Sequence, residues 1–205
     1  MTEYLSKITS TLNKIETEEW EAISKASRLS ADTIKNDGVI FTFGCGHSHL
    51  PGLDAFYRAG GLANVSPILD TDLMLHNGAA KSSRMEKMQG LATEIFRRYS
   101  LSKNDILFIF SASGKNKVPI EMAIEAKKAG IKTVGVSSSS YYEKGGELYK
   151  YVDVHIDCKV PYRDACIKVG DIFMGGLSTA TNCFILNSCL INGSKIALEE
   201  GVKPP

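Results

Sequence analysis

The chain holds 205 residues, enough for one domain with a sizeable core. Its 24 Lys and Arg nearly balance 23 Asp and Glu, and no basic stripe follows a predicted element, so neither nucleic acid nor a membrane surface is the expected partner. Apolar runs stop short of the ~20 residues a membrane span needs, and MTEYLSKITS lacks the apolar centre of a secretory signal, so a cytoplasmic protein is expected.

From Glu3 to Ile34 there is no Gly or Pro, and Leu5, Ile8, Leu12 and Ile15, then Trp20, Ile23, Ala26 and Leu29, recur at helical steps. The pattern predicts one long N-terminal amphipathic helix or two abutting ones, placed against a second subunit or against its own sheet. Asn36-Asp37-Gly38 ends it, and Val39 to Phe43 reads as a buried strand. The turn Gly44-Cys45-Gly46-His47-Ser48-His49 leads through Pro51 into a helix reaching Arg58; Val65 to Leu69 is a short strand ending at Asp70. After an irregular stretch through His76, Ser83-Arg84-Met85-Glu86 has the form of a capping box opening a helix that carries Met88, Leu91, Ile95 and Phe96.

Strand 105–110, helix 119–129, strand 132–136, a helical turn near 146–150 and strand 152–157 continue the alternation, and Ser178 to Glu200 reads as a largely buried last helix. Unalternating apolar strands separated by helices predict a single α/β domain, a doubly wound parallel sheet with helices on both faces.

The strand DILFIF runs into Ser111-Ala112-Ser113-Gly114-Lys115-Asn116, and KTVGV runs into Ser137, Ser138, Ser139 and Ser140. Hydroxyls, backbone N–H groups and the dipole of the helix holding Pro119 are thus gathered at two strand ends, where doubly wound sheets bind ligands. This chemistry suits a phosphate ester. Serines after a strand also serve as plain caps and turn residues, and the second cluster one unit later is what favours the anion. Gly44-x-Gly46 with Asp70 imitates a dinucleotide fingerprint, but His49 stands where its third glycine belongs; Gly44, Gly46, His47 and Ser48 are therefore read as a turn against a sugar or its phosphate.

His47 and His49 have clasp-like spacing, yet no carboxylate or cysteine pattern completes a metal site, and neither metal nor cofactor is expected. Cys45, Cys158, Cys166, Cys183 and Cys189 contain no CxxC pair; Cys183 and Cys189 read as core, and Cys45 as packing. His155, within a strand, reads as structural. For acid–base work the candidates are His76 and His47 first, then Asp164 and Asp54. Glu86 is set aside for the capping box.

Taken together, these motifs resemble the SIS (sugar isomerase) domain family. Ser111 to Asn116 look like its S-x-S-G-x-[ST] phosphate loop with Asn116 in the hydroxyl position; Ser137 to Ser140 look like its second serine cluster, and Gly44 to Ser48 like its first turn. GHSH, FYRAGG, LMLHNGA, VPYRDA and the ILN of the last helix further resemble a bacterial subgroup labelled as phosphoheptose isomerases. The resemblance implies a five-stranded parallel sheet with flavodoxin-like layering, a homodimer or homotetramer, and a sugar-phosphate ligand. It also implies isomerisation, ether cleavage or regulatory sensing in different members. The phosphoheptose isomerases use a glutamate after the first turn and a last-helix histidine. Here Asp54 lies in the first helix, and the last helix carries Asn182, Asn187 and Asn192 but no histidine.

Overall fold

Residues 2–205 are described by a computed structural model. The N-terminal stripe forms two helices, α1 (Glu3–Glu18) and α2 (Trp20–Lys35), broken at Glu19, whose φ of −109° and ψ of 9° leave the helical region. Lys159 pins the break: its ammonium lies 2.6 Å from the Glu19 carboxylate, 3.1 Å from that of Glu18 and 3.4 Å from that of Asp157. β1 (Ile40–Gly44), α3 (Leu50–Ala55), β2 (Val65–Pro67), α4 (Ala79–Met85), α5 (Leu91–Arg97), β3 (Ile106–Phe110), α6 (Lys117–Lys128), β4 (Lys132–Ser137) and β5 (Val154–Asp157) follow. A hairpin of β6 (Ala165–Val169) and β7 (Ile172–Gly176) precedes α7 (Ser178–Glu199).

Strands β1 to β5 form one parallel sheet in the order β2-β1-β3-β4-β5, the layout the motifs imply. Every residue of β1 and β3 is buried, which explains their unbroken apolar runs. Side chains alternate between two cores. Phe108 and Phe110 pack with Ile23 and Ala26 of α2 and Ile185 and Leu186 of α7; Leu107 and Ile109 pack on the other face with Ile95, Met122, Ala123 and Ala126. α2 and α7 approach closely because Gly193 has no side chain: a Cβ there would lie 2.8 Å from Cβ of Ser30 and 2.9 Å from the Ser27 carbonyl oxygen.

The expected capping box does not form, because Ser83 lies inside α4 and Glu86 follows its last residue; α5 starts instead after Gly90, whose φ of 83° breaks the chain. The β6–β7 hairpin occupies a segment for which the sequence pattern predicts no element. It turns through Gly170 and Asp171, with Val169 facing Ile172. Asp164 ties its base to α7, accepting hydrogen bonds from Leu177 N–H at 3.0 Å, Ser178 N–H at 2.8 Å and the Ser178 hydroxyl at 2.5 Å.

Phe108 is fully buried and stacks on Phe110 with ring centroids 6.4 Å apart. Phe108→Ala is expected to cost about 3–5 kcal/mol, read from denaturant unfolding; a loss below ~1 kcal/mol contradicts its place at the centre of the core.

Candidate functional site

Strand order reverses between β1 and β3, since β1 continues outward to β2 while β3 continues to β4 and β5. Ligands of doubly wound sheets bind at such a point, beyond the carboxyl ends of the strands. Gly44 pairs in register with Phe110, so the turn after β1 and the loop after β3 leave the sheet side by side.

The first turn is compact. A Cβ on Gly44 would lie 2.2 Å from the Ser48 carbonyl oxygen, so only glycine lets the chain fold back there. Gly46 has a φ of 59°, in the left-handed region. His47 is exposed, Ser48 half-buried and His49 buried. Cys45 is buried, and burial with the nearby charges of Glu86 and Asp70 pushes its thiol well above the ordinary value, so it packs rather than attacks.

The loop after β3 is a tight turn. Gly114 N–H donates to the Ser111 carbonyl at 2.9 Å and to its hydroxyl at 3.2 Å, while Ser138 N–H holds Ala112 from the β4 side at 2.9 Å. Gly114 has a φ of 58°, and a Cβ there would stand 3.2 Å from the Ser137 side chain, so the position excludes one twice over. Ser111 is buried, Ser113 half-buried and Lys115 exposed. Asn116 precedes α6 without capping it, and Glu86 lies beside the helix start, its backbone carbonyl accepting from Val118 N–H at 3.1 Å.

The second serine cluster lies beside this loop, but most of its hydroxyls are spent elsewhere. Ser137 Oγ lies 2.8 Å from Nε2 of His155; the hydroxyls of Ser138 and Ser140 donate to the Val160 carbonyl at 2.6 and 3.0 Å. Ser139 is exposed, and its N–H donates to Asp157 at 3.2 Å. These contacts tie the end of β4 to β5 and the segment beyond it.

The acid–base candidates disperse. Asp54, on α3, forms an ion pair with Arg58, which lies beyond the helix because α3 stops at Ala55 and does not reach Arg58 as expected, and Asp164 is engaged by its bonds to the start of α7. His47 and His76 stay near the first turn, and both are exposed. Glu86, assigned by sequence to a cap, is instead half-buried beside Asn116. Burial raises its carboxyl above the ordinary value, against the lowering effects of the Asn116 hydrogen bond and of Lys87 and Lys115. No local pattern announces this placement, because Glu86 reaches the start of α6 only through the long-range bond from Val118 N–H to its backbone carbonyl. Among the described residues, no group of three or more His, Cys, Asp or Glu could hold a metal ion, and no helix is long and apolar enough to cross a membrane.

Because the folded state raises the Glu86 carboxyl, its ionisation weighs against folding above that raised value, and the penalty vanishes as pH falls below the ordinary value of 4.5. Glu86→Gln is therefore expected to melt higher than the parent near neutral pH, with the gap closing below 4.5. A gap independent of pH contradicts the assignment.

The SIS domain model matches residues 3–138, which include the first turn and the loop after β3. A UPF0309 protein of Thermoanaerobacter pseudethanolicus is 38% identical over 99% of this chain and 87% of its own length. Among solved structures, phosphoheptose isomerase GmhA from Neisseria gonorrhoeae superposes with a TM-score of 0.62 at 16% identity, covering 90% of this chain and 93% of that one. The Vibrio vulnificus NanR protein complexed with ManNAc-6P gives 0.58 at 17% identity, covering 97% of this chain and 61% of that one. At these identities the structural likeness is one of fold. The family model over residues 3–138 and the relative over nearly the whole chain agree: the chain belongs to the SIS domain family and, within it, to the UPF0309 proteins.

Proposed function

We propose that the protein binds a sugar phosphate beyond the ends of β1 and β3 and interconverts its aldose and ketose forms without a cofactor. The observation that carries this reading is the Glu86 backbone carbonyl accepting from Val118 N–H at 3.1 Å, which fixes Glu86, half-buried, beside the start of α6 and the end of the Ser111–Asn116 loop. It sets a base of raised pKa at the edge of an anion cradle.

In this reading the phosphate sits against Ser113, the N–H groups following Gly114 and the positive end of α6, with Lys115 adding charge. Gly44, Gly46 and Ser48 shape the wall facing the sugar. Ser111, Ser137 and Ser138 support the loop from beneath. Glu86 then takes the proton from C2 of the aldose; the C2–H electron pair becomes the C1–C2 double bond, and the carbonyl pair moves onto O1, which takes the proton of the C2 hydroxyl to give an enediolate. The Glu86 carboxyl, exchanging its proton with water while the intermediate lasts, then delivers a proton to C1 as the carbonyl re-forms at C2, which completes the ketose. Nothing is oxidised overall, so no redox partner is required.

A sugar-phosphate sensor is the second reading, and one observation favours it: α7 carries Asn182, buried with an unpartnered Oδ1, on a helix without a histidine. A solved structure of the same fold is that of NanR complexed with ManNAc-6P. Both readings place the protein in the cytoplasm. Both also suit a homodimer or homotetramer, in which Tyr4, Leu5 and Trp20, exposed on α1 and α2, would be covered.

Exchange of the C2 proton with solvent, followed by NMR over a panel of aldose and ketose phosphates, separates the two. An isomerase exchanges it, and Glu86→Gln slows exchange by about 10²–10⁴ while sugar phosphates still raise the melting temperature. Ser113→Ala is expected to abolish that rise. Stabilisation without exchange across the panel leaves only the sensor, and no stabilisation at all contradicts both.

A further inference from the structure

His49 is 5% exposed, the most deeply buried of the chain's histidines. Its Nδ1 is in hydrogen-bond contact with the carbonyl oxygen of Gly46. A carbonyl only accepts, so Nδ1 must carry the proton. Burial, and secondarily His76 and His47, lowers the ring's pKa against the opposing Gly46 bond, so the neutral form prevails. Nε2 is then a bare lone pair. That atom is buried and has no partner among the described residues, an arrangement that costs stability unless something else supplies a donor.

The surroundings indicate what the donor is. His49 ends the turn that follows β1, one strand away from the loop that follows β3, and strands lie about 4.8 Å apart. The His76 ring stands edge-on to it at 5.7 Å between centroids, and Leu75 comes within 3.7 Å of a Cβ built on Gly46. The segment bearing both is a single 3-10 turn ending at Gly78, whose φ is 113°. Its hydrogen bonds run mainly to neighbouring residues: Asn77 N–H to Met74, Gly78 N–H to Leu75, and the Asn77 side chain to Thr71. Such a turn can shift without breaking the sheet.

We propose that Nε2 of His49 accepts a hydrogen bond from a hydroxyl of the bound sugar phosphate, with the His76 turn moving aside to admit it. This deepens the sugar-phosphate reading and rests on it. It assigns His49 a part in recognition, selecting hydroxylated ligands over phosphate alone. A neutral imidazole fixed as the Nδ1–H tautomer can only accept at Nε2, so a ligand carrying a carbonyl or ether there is rejected.

Long-range proton–nitrogen NMR of the nitrogen-labelled full chain, which has only four histidines, tests this directly. The expected spectrum has one ring as the Nδ1–H tautomer, with an Nε2 resonance that moves when sugar phosphates of the panel are added. Inorganic phosphate should move the Gly114 amide but not that Nε2. His49→Asn, which keeps a donor near the Nδ1 position, should weaken sugar-phosphate binding roughly tenfold more than inorganic-phosphate binding. An Nε2–H tautomer overturns the inference. So does inorganic phosphate alone, if it shifts the Nε2 signal as a sugar phosphate does. A sugar phosphate that shifts Gly114 and leaves Nε2 still overturns the His49 assignment and spares the phosphate loop. If none of the panel shifts Gly114, the sugar-phosphate reading fails, and the assignment with it.

Discussion

The reversal of strand order between β1 and β3 is the constraint on which the rest of this molecule depends. Two neighbouring strands end in register, Gly44 beside Phe110, while the chain leaves them in opposite directions across the sheet. The turn after β1 and the loop after β3 therefore diverge from neighbouring strand ends, the place at which doubly wound sheets bind ligands. Glycine permits both turns: at Gly44 and Gly114 any side chain would strike the backbone or the neighbouring strand's serine. Burial of every residue of β1 and β3 holds the strand ends rigid beneath both turns.

Stability is conceded at this end of the sheet. Buried acceptors without partners among the described residues include Thr42 Oγ1 on β1, His49 Nε2 in the turn that follows and Asn182 Oδ1 on α7, which packs against that turn. Glu86 adds a half-buried carboxyl held above its ordinary value. At the amino ends of the strands polar groups are mostly met, with Asn64 Oδ1, just before β2, the exception. Asp153 accepts from Thr133 N–H and hydroxyl at the start of β4, Asp105 binds Val39 N–H at 2.7 Å, and Asp164 clamps the base of the hairpin.

Much of this was legible in the sequence because the signals are local. A continuous apolar strand followed by S-A-S-G-K-N needs only neighbouring residues to be read, and the same holds for the glycines of the first turn. The second serine cluster was visible too, but its hydroxyl directions are set by His155 and Val160, some twenty residues later. Ser83 to Glu86 fit a capping pattern, yet Gly78 and Gly90 punctuate the chain more strongly and place the helices on either side. The hairpin did carry a signal, Gly170-Asp171 between two β-prone runs, easily passed over in a chain otherwise patterned for parallel strands. Which carboxylate meets a helix start is decided by tertiary packing: Asp164 binds the start of α7, and Glu86 lies beside the start of α6 instead of closing a capping box.

A crystal structure of the protein grown with a bound sugar phosphate tests the central claim most directly. The account predicts phosphate density within hydrogen-bond reach of Ser113 and of the backbone N–H groups following Gly114, with the sugar extending toward the turn after β1. Density for the ligand at another surface, with the Ser111–Asn116 loop left to solvent, would contradict it.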